Sequence, residues 1–451
     1  MWKFILCFIF YQMYTIPGIS ESGKQVHKTI YIDPDYKGTF HNGTKNQPFN
    51  TFDQLKFSSN SCYLLKAGSE IEVNASIFIS GLKNCTISSY GEGKKPLIKY
   101  FGNGRLLDIY RSKNFKISLI SFDCKEEAVC AIKYGDYCDD VSIDSCDIRG
   151  GTWGIRIVAN FPDRAVRNVR IRNSKIHDIA DDGIYVMRAK DVVISNCTIY
   201  KVNQNFFKVG KSEDEASGDG IQFYEVDTFQ IIKNKIDRSD TGNKFSLILQ
   251  NARAGRVSGN YFIGPSNNTV IYISYHSSNI LIDMNRLQGG KTAVYCHGQN
   301  IYLIKNIINE MDFRAFVFID CLDIFMYHNT CYRIKHAIYG SNFHASVYNN
   351  IFYFLTGEGL AFSAGDHIES GNNCYFPHQV NMFGEYSSLL LYRLNTQNGR
   401  SSFVSDPLLL DPDNGNFHLN ENSPCRKRAK KIHLPEHILT RVNLNDNIGA
   451  R

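Results

Sequence analysis

Short apolar phrases recur between polar turns through the middle of the chain. Seven of them begin at residues 183, 220, 246, 270, 293, 315 and 337 and read GIYV, GIQF, SLIL, VIYI, AVYC, AFVF and AIYG. The last five starts are separated by 24, 23, 22 and 22 residues. A period in this range, made of strand-length phrases and turns, is typical of a solenoid, whose units must stack to bury their apolar faces.

A second recurring phrase carries an asparagine. The asparagines that share this place are Asn196, Asn234, Asn260, Asn285, Asn306, Asn329 and Asn350. Stacking in register would set identical amides above one another, where they can hydrogen-bond from coil to coil. The two phrases together predict an all-β chain folded as a parallel β-helix of at least eight coils.

Side chains alternate between the two sides of a strand, so the aligned phrases also predict which residues lie inside. The interior positions are Ile155, Ile184, Ile221, Leu247, Ile271 and Val294. The next position along each strand points outward, and it holds basic, amide and aromatic residues. The outward residues that we expect to bind substrate are Lys133, Arg156, Tyr185, Gln222, Tyr272 and Tyr295.

The ends of the chain depart from the repeat. Residues 1–20 show a positive charge, an apolar stretch and then small residues, which is typical of a secretory signal peptide. We expect the β-helix over residues 28–369, opening with an N-terminal cap, and a C-terminal covering segment and tail over 370–451. Insertions near 160–168 and 201–217 lengthen two coils, and insertions in solenoids often lie on the binding face.

The composition narrows the class of partner. The net charge of +6 favours an acidic polymer, and nucleic acid is not expected for an exported chain with no basic block outside residues 426–431. No stretch after the signal approaches the ~20 apolar residues of a membrane span. Twelve cysteines besides Cys7 permit disulfides, but several occupy apolar strand positions, so buried free thiols fit equally well. We expect a secreted or periplasmic monomer.

Both ends of the mature chain resemble those of a known superfamily. The phrases YIDPDYKGTFHNGTKNQPFNTFDQL and SDPLLLDPDNGNFHLNENSPC are similar to the ends of exported right-handed parallel β-helix proteins of the pectate-lyase-like superfamily. The resemblance implies a right-handed helix that acts on or binds an extracellular polysaccharide. It does not select an activity, because this fold carries lyases, hydrolases, epimerases and adhesins.

Acidic residues precede the recurring phrase in two neighbouring coils. Asp181 and Asp182 come before Gly183, Asp219 comes before Gly220, and Lys244 occupies the same corner of the next coil. Adjacent coils lie about 4.8 Å apart, so these groups are expected to face one another. Carboxylates that close either share a hard cation such as Ca²⁺ or pair with the lysine. The opposing interpretation is that Asp-Gly is ordinary turn chemistry.

Two chemistries and one binding function fit this pattern. In β-elimination, Asp181, Asp182 and Asp219 would hold Ca²⁺ and Lys244 or Arg253 would act as the base, an order similar to that of calcium-dependent, lysine-base β-helix lyases. In hydrolysis, Asp182 and Asp219 would flank the glycosidic bond.

The third possibility, a carbohydrate-binding solenoid, needs only the aromatic stripe. His276 and His297 follow the strands and are expected to face solvent and contact substrate. We predict a lyase acting on a uronate-containing polysaccharide, with a hydrolase as the alternative.

Overall fold

The chain winds into a solenoid of parallel β-strands. The computed structural model describes residues 28–202, 218–239, 244–355, 360–362, 367–378, 382–384 and 386–450. The predicted signal peptide and residues 203–217 of the longer insertion lie outside the described residues. Each coil contributes one strand to each of three parallel ladders, and the predicted parallel β-helix is confirmed.

The first ladder contains the strands of the recurring phrases. It comprises Ile77–Ser80, Arg105–Tyr110, Cys130–Tyr134, Trp153–Val158, Leu247–Gln250, Thr269–Ile273, Thr292–Cys296 and Leu360–Phe362, together with the leading halves of Ile184–Ser195, Ile221–Ile232, Arg314–Tyr327 and His336–Tyr348. We call its outer surface the first face. All six residues predicted to point inward lie in register on its inner side and are buried.

The second ladder follows the first along each coil. It comprises the trailing halves of the four long strands and Lys28–Ile32, Ser61–Lys66, Lys83–Tyr90, Lys113–Ser118, Asp139–Asp144, Val166–Arg172, Arg253–Ser258, Ser278–Asp283, Gln299–Ile304 and His367–Gly371. The corner between the two ladders bends through one residue of positive φ, such as Arg188 at 53° or Glu225 at 54°.

The third ladder closes each coil. Its strands are Glu70–Val73, Leu97–Tyr100, Ser121–Cys124, Asp147–Gly150, Lys175–Ile179, Thr198–Val202, Lys235–Asp237, Tyr261–Ile263, Arg286–Gln288, Ile307–Asn309, Thr330–Ile334, Ile351–Phe354, Cys374–Phe376 and Phe403–Val404. The last two strands lie beyond residue 369, so the helix continues into the segment that we expected to cover it.

The asparagine ladder forms at the corner between the second and third ladders. Buried asparagines stack from Asn234 through Asn350 to Asn373, and from Asn260 onward each side-chain oxygen accepts from the backbone N–H and the side-chain amide of the asparagine before it, as Asn306 does from Asn285 at 3.1 and 3.0 Å. The assignment of Asn196 to this ladder is wrong. Asn196 takes the left-handed corner position with φ 53°, and Cys197 occupies the ladder position, where its N–H donates to Asn234.

Both ends of the helix core are covered. A 3-10 turn at Phe52–Gln54 buries Phe52 against the first coils. At the other end, helix α1 (Leu389–Thr396) packs Leu389 and Tyr392 onto the last coils. Two further 3-10 turns lie at Pro162–Arg164 and Pro412–Asn414. None of the helices in the described part of the chain is long and apolar enough to cross a membrane.

The tail folds back along the outside of the helix. It contains the antiparallel strands Leu409–Asp411 and Asn416–Leu419 and the short helix α2 (Glu436–Leu439). All twelve cysteines in the described residues are free thiols, and eleven of them are buried. The sequence allowed either disulfides or buried free thiols, and the structure has free thiols.

Candidate functional site

The tail leaves the first face open. Its residues Leu434, Ile438 and Val442 pack on outward residues of the second ladder, such as Tyr302. Other tail residues, including Phe417, cover outward residues of the third ladder. None of these clusters of described residues includes a residue of the first ladder. The first face is therefore the surface on which a long ligand could lie.

The predicted stripe lies along this face as one continuous row. Strand register places its members one above another in the order Asp108, Lys133, Arg156, Tyr185, Gln222, Ile248, Tyr272, Tyr295, Val317 and Tyr339. The sequence thus placed the row in the correct register, although Lys133, Ile248 and Val317 are at most 5 % exposed, and the binding role of its members stays a prediction. The row changes character along the helix, from charged to aromatic.

The charged end of the row is a compact cluster. The Lys133 ammonium donates to the Tyr110 hydroxyl and lies 3.9 Å from Asp108 Oδ1, while the Arg105 guanidinium lies 3.3 Å from Asp108 Oδ2. Burial and the nearby Arg105 lower the pKa of Lys133. One coil further, the Arg156 guanidinium lies 4.3 Å from the centre of the Trp153 ring. This end can receive acidic groups through Arg156, whereas Lys133 is already engaged.

The three predicted metal-binding carboxylates meet at the corner that leads into the first ladder. Asp181, Asp182 and Asp219 are at most 2 % exposed. Each accepts a backbone N–H from the next coil: Asp181 from Gly218 at 2.5 Å, Asp182 from Asp219 at 2.7 Å and Asp219 from Phe245 at 2.9 Å. These hydrogen bonds satisfy backbone N–H groups of the next coil, as expected of structural turn residues in a stacked fold.

Burial changes the protonation of this cluster. It raises the pKa of Asp182 well above its ordinary range, and the nearby Asp181 and Asp219 add to the effect. Burial also raises the pKa of Asp219 to about 7, although Arg238 and Lys244 oppose the rise. An Asp182 that keeps its proton is a poor calcium ligand. Among the described residues, no group of three or more acidic, His or Cys side chains is arranged to hold a metal. Calcium binding stays a prediction that these contacts do not favour.

The two predicted bases lie in different places. Lys244 is half-buried at the same corner, beside Asp219. Arg253 is exposed at the start of a second-ladder strand, paired in register with Asp227 and across the whole first-ladder strand from the carboxylates. The structure therefore brings Lys244 to the carboxylates but not Arg253. His276 is exposed in the turn after the strand that carries Tyr272, at the trailing edge of the first face.

The aromatic end of the row surrounds His297. The His297 ring stacks on Tyr275 with centroids 4.2 Å apart and lies 5.1 Å from the Tyr295 ring and 6.0 Å from the Tyr272 ring. Its Nδ1 lies 3.1 Å from the Ile319 carbonyl oxygen, which can only accept, so Nδ1 carries the proton and Nε2 keeps its lone pair. Burial lowers the pKa of His297. The imidazole is therefore neutral near pH 7.

An arginine that sequence reasoning missed completes this end. The Arg314 guanidinium lies between two rings, 3.9 Å from the centre of Phe313 and 4.0 Å from that of Tyr339, and is close enough to Tyr295 to interact electrostatically. Arg314 begins its strand, three residues before the row position at Val317, so alignment on the stripe did not select it. Tyr275, in a turn, was missed for the same reason. Flanking aromatic residues at 313 and 339 were the available signal.

Sequence comparison agrees with this architecture. A family model described as "right handed beta helix region" matches residues 45–287, which is more than half of the chain. The chain belongs to the right-handed β-helix family. No curated protein matches this β-helix in sequence.

The solved structures that resemble this β-helix carry the names of enzymes with different activities. They include the A-module of the Azotobacter vinelandii mannuronan C-5 epimerase AlgE6, with 13 % identity, a TM-score of 0.46 and 77 % and 91 % of the two chains covered. The GH136 lacto-N-biosidase of Eubacterium ramulus has 12 % identity and a TM-score of 0.45, with 77 % of this chain and 68 % of that chain covered. At such low identity, proteins of one architecture carry unrelated functions.

Proposed function

We propose that this β-helix is an exported polysaccharide lyase that cleaves a uronate-containing polymer by β-elimination on its first face. The observation that carries the proposal is the environment of His297. A neutral imidazole with its Nδ1–H held by a backbone carbonyl presents Nε2 as a base, and three tyrosines surround it. A general base works best when its pKa lies near the working pH, where it is largely unprotonated and still basic.

The reaction requires two proton transfers. One removes a proton from the carbon next to the uronate carboxylate, and the other delivers a proton to the glycosidic oxygen. His297 Nε2 removes the proton next to the uronate carboxylate, and the C–H electrons form the new double bond. The bond to the glycosidic oxygen breaks, and that oxygen takes a proton from a neighbouring phenol, for which Tyr295 is the nearest candidate on the row. Burial raises the pKa of Tyr272, so this phenol beside the site keeps its proton at neutral pH.

Proton removal next to a carboxylate also requires that its negative charge be neutralised. Arg314 supplies that charge without a metal, because its guanidinium lies beside Tyr295 and is held between two rings. The rings fix the guanidinium in place, and a preorganised cation stabilises the developing negative charge more than a mobile one does. The rest of the row would align the chain, with rings under sugar units and Arg156 near an acidic group.

The test is turnover of acidic polysaccharides followed by ultraviolet absorbance and reducing ends together. We expect new absorbance from the unsaturated uronate, and loss of it by at least a hundredfold in His297→Asn, since general acid–base catalysis contributes roughly 10²–10⁴-fold. His433→Asn is the matched control, because His433 is exposed on the tail. A lowered pKa of His297 places the acidic limb of the rate profile below pH 6.5, and activity rises with pH through that limb.

Two outcomes would redirect the assignment. If Lys244→Ala abolishes absorbance and His297→Asn does not, the base is the lysine at the carboxylate corner. If uronate signals change by NMR with neither absorbance nor reducing ends, the site transfers protons without cleaving the chain. Chelator treatment belongs in the same assay, since activity that is lost with chelator, restored by Ca²⁺ and absent in Asp181→Asn would support the predicted calcium site at Asp181, Asp182 and Asp219.

Hydrolysis is the second candidate, and the raised pKa of Asp182 favours it. A carboxyl that stays protonated near neutral pH can serve as the general acid that a glycosidase needs. Trp153, whose ring lies under the row residue Arg156, donates its ring N–H to Asp182 at 3.3 Å. Reducing ends without absorbance, lost in Asp182→Asn and retained in His297→Asn, would establish the hydrolase and refute the lyase.

A further inference from the structure

A basic strip lies on the tail, away from the first face. Residues 426–431 read RKRAKK, and all five cations, Arg426, Lys427, Arg428, Lys430 and Lys431, are exposed. The net charge of the whole chain is only +6. Nearly all of the unbalanced charge is therefore concentrated in six consecutive residues.

The strip is held in place by the asparagine corner of the helix. Asn349 and Lys430 exchange two hydrogen bonds of 2.8 Å, side chain to backbone, and Asn372 donates to the Arg428 carbonyl at 3.1 Å. Lys427 N–H donates to Asn447 at 3.1 Å. A segment without regular secondary structure thus presents its cations from a fixed backbone, which lowers the entropy lost when a ligand binds.

These cations are not neutralised by the protein. Some exposed lysines elsewhere pair with carboxylates on neighbouring coils, as Lys113 does with Asp139 at 3.1 Å and Lys190 with Asp227 at 3.7 Å. Among the described residues, none of the five strip cations forms an ion pair. The strip also borders a cleft of about 760 Å³, whose charged lining residues are the cations Lys430, Lys431 and Arg441 and one carboxylate, Asp446. Clustered charge of one sign raises the local concentration of oppositely charged ligands.

The aromatic rings beneath the strip are half-buried, and two of the strip's own cations lie over them. The Arg428 guanidinium lies 5.1 Å from the centre of the Phe403 ring, and the Lys430 ammonium lies 4.0 Å from that of Tyr348. Proteins that bind single-stranded nucleic acid combine positive charge with open rings on which bases stack. The strip has the charge without the open rings, so it suits a ligand that is recognised by charge alone.

We infer that the basic strip is a second binding site, which takes an anionic polysaccharide carrying sulfate or carboxylate groups. It packs over the second and third ladders, whereas the proposed active site lies on the first face. Binding there would hold the protein on a polymer surface without occupying the active site. The inference does not depend on the lyase proposal, because no residue is shared.

The test is binding of the full-length protein to heparin, a sulfated polysaccharide, measured by calorimetry at 0.15 M salt. The variant combines Arg426→Gln, Lys427→Gln and Lys431→Gln, which spares the two cations that cover rings. We expect affinity to fall about tenfold, since each exposed charge contact is worth a factor of a few. The control combines Lys113→Gln, Lys190→Gln and Lys235→Gln, which removes the same charge from paired lysines and should leave affinity within twofold.

Each other outcome would overturn the inference. Equal losses in both triple variants would mean that only net charge matters, and no loss in either would place heparin elsewhere on the protein. Duplex DNA or phosphatidylserine vesicles binding as tightly as heparin, with the same dependence on the strip, would replace the polysaccharide with that ligand. Circular dichroism checks that each variant is folded, and single variants at Lys427 and Lys431, each expected to lose about twofold, replace the triple if it is not.

Discussion

Replacing Asn306 by alanine should test whether the asparagine ladder stabilises the helix. The side chain donates to the Ile282 carbonyl at 2.8 Å and to the Asn329 side-chain oxygen at 3.0 Å. It accepts from the backbone N–H and the side-chain amide of Asn285 at 3.1 and 3.0 Å. All of these partners are buried, so alanine removes four hydrogen bonds and water cannot replace them.

The expected loss follows from those contacts. A hydrogen bond contributes about 0.5–1.5 kcal/mol net, and a buried donor left without a partner costs about 1–3 kcal/mol. The Asn285 N–H becomes such a donor, while the Asn285 amide keeps its bond to the Val257 carbonyl at 2.8 Å. We expect the free energy of unfolding to fall by roughly 3 kcal/mol, within a range of about 2–5 kcal/mol.

Urea unfolding followed by circular dichroism and by fluorescence of Trp153 measures this loss. Two probes are needed because a long solenoid can unfold in stages, and a single free energy is meaningful only where the transitions coincide. Asn395→Ala is the control, since Asn395 is exposed on α1 and makes one hydrogen bond, to the Leu391 carbonyl. A loss below about 1 kcal/mol, or one equal to that of the control, would refute a stabilising ladder.

Three further predictions concern the corner and the row. Burial raises the pKa of Asp219 to about 7 from an ordinary value of 3.8. The stability contributed by its protonated form is therefore fully present below about pH 4 and is lost as the pH rises through 7. Asp219→Asn should flatten this part of a plot of melting temperature against pH. Gly220→Ala should lower stability by about 1–3 kcal/mol, because the new Cβ would lie 2.5 Å from the Ser246 carbonyl oxygen, and an unchanged melting temperature would contradict this packing. Arg314→Lys should lower kcat more than it raises KM on the acidic substrate, because a lysine cannot stay stacked between Phe313 and Tyr339; an unchanged kcat would remove Arg314 from the mechanism.

The repeating architecture was determined by the sequence alone. Whether a side chain points in or out depends on its own strand, and the interior residue Ile221 and the outward residue Tyr272 were both placed correctly. Coil length and the asparagine phrase recur often enough to be aligned without a structure. The alignment was wrong in one coil. There the ladder position holds Cys197, and Asn196 lies one residue before it.

The candidate site needed the tertiary structure. Asp182 receives its hydrogen bond from Asp219, 37 residues later, so whether its carboxylate faces solvent or joins coils depends on how the coils stack. Arg253 lies on another face, because the chain turns a corner between the first-ladder strand and Arg253. Arg314 interacts with Tyr295 of the neighbouring coil from the residue just before the recurring phrase. Alternation within a strand is a local property, whereas burial, pairing and reach are set between coils that are distant in sequence.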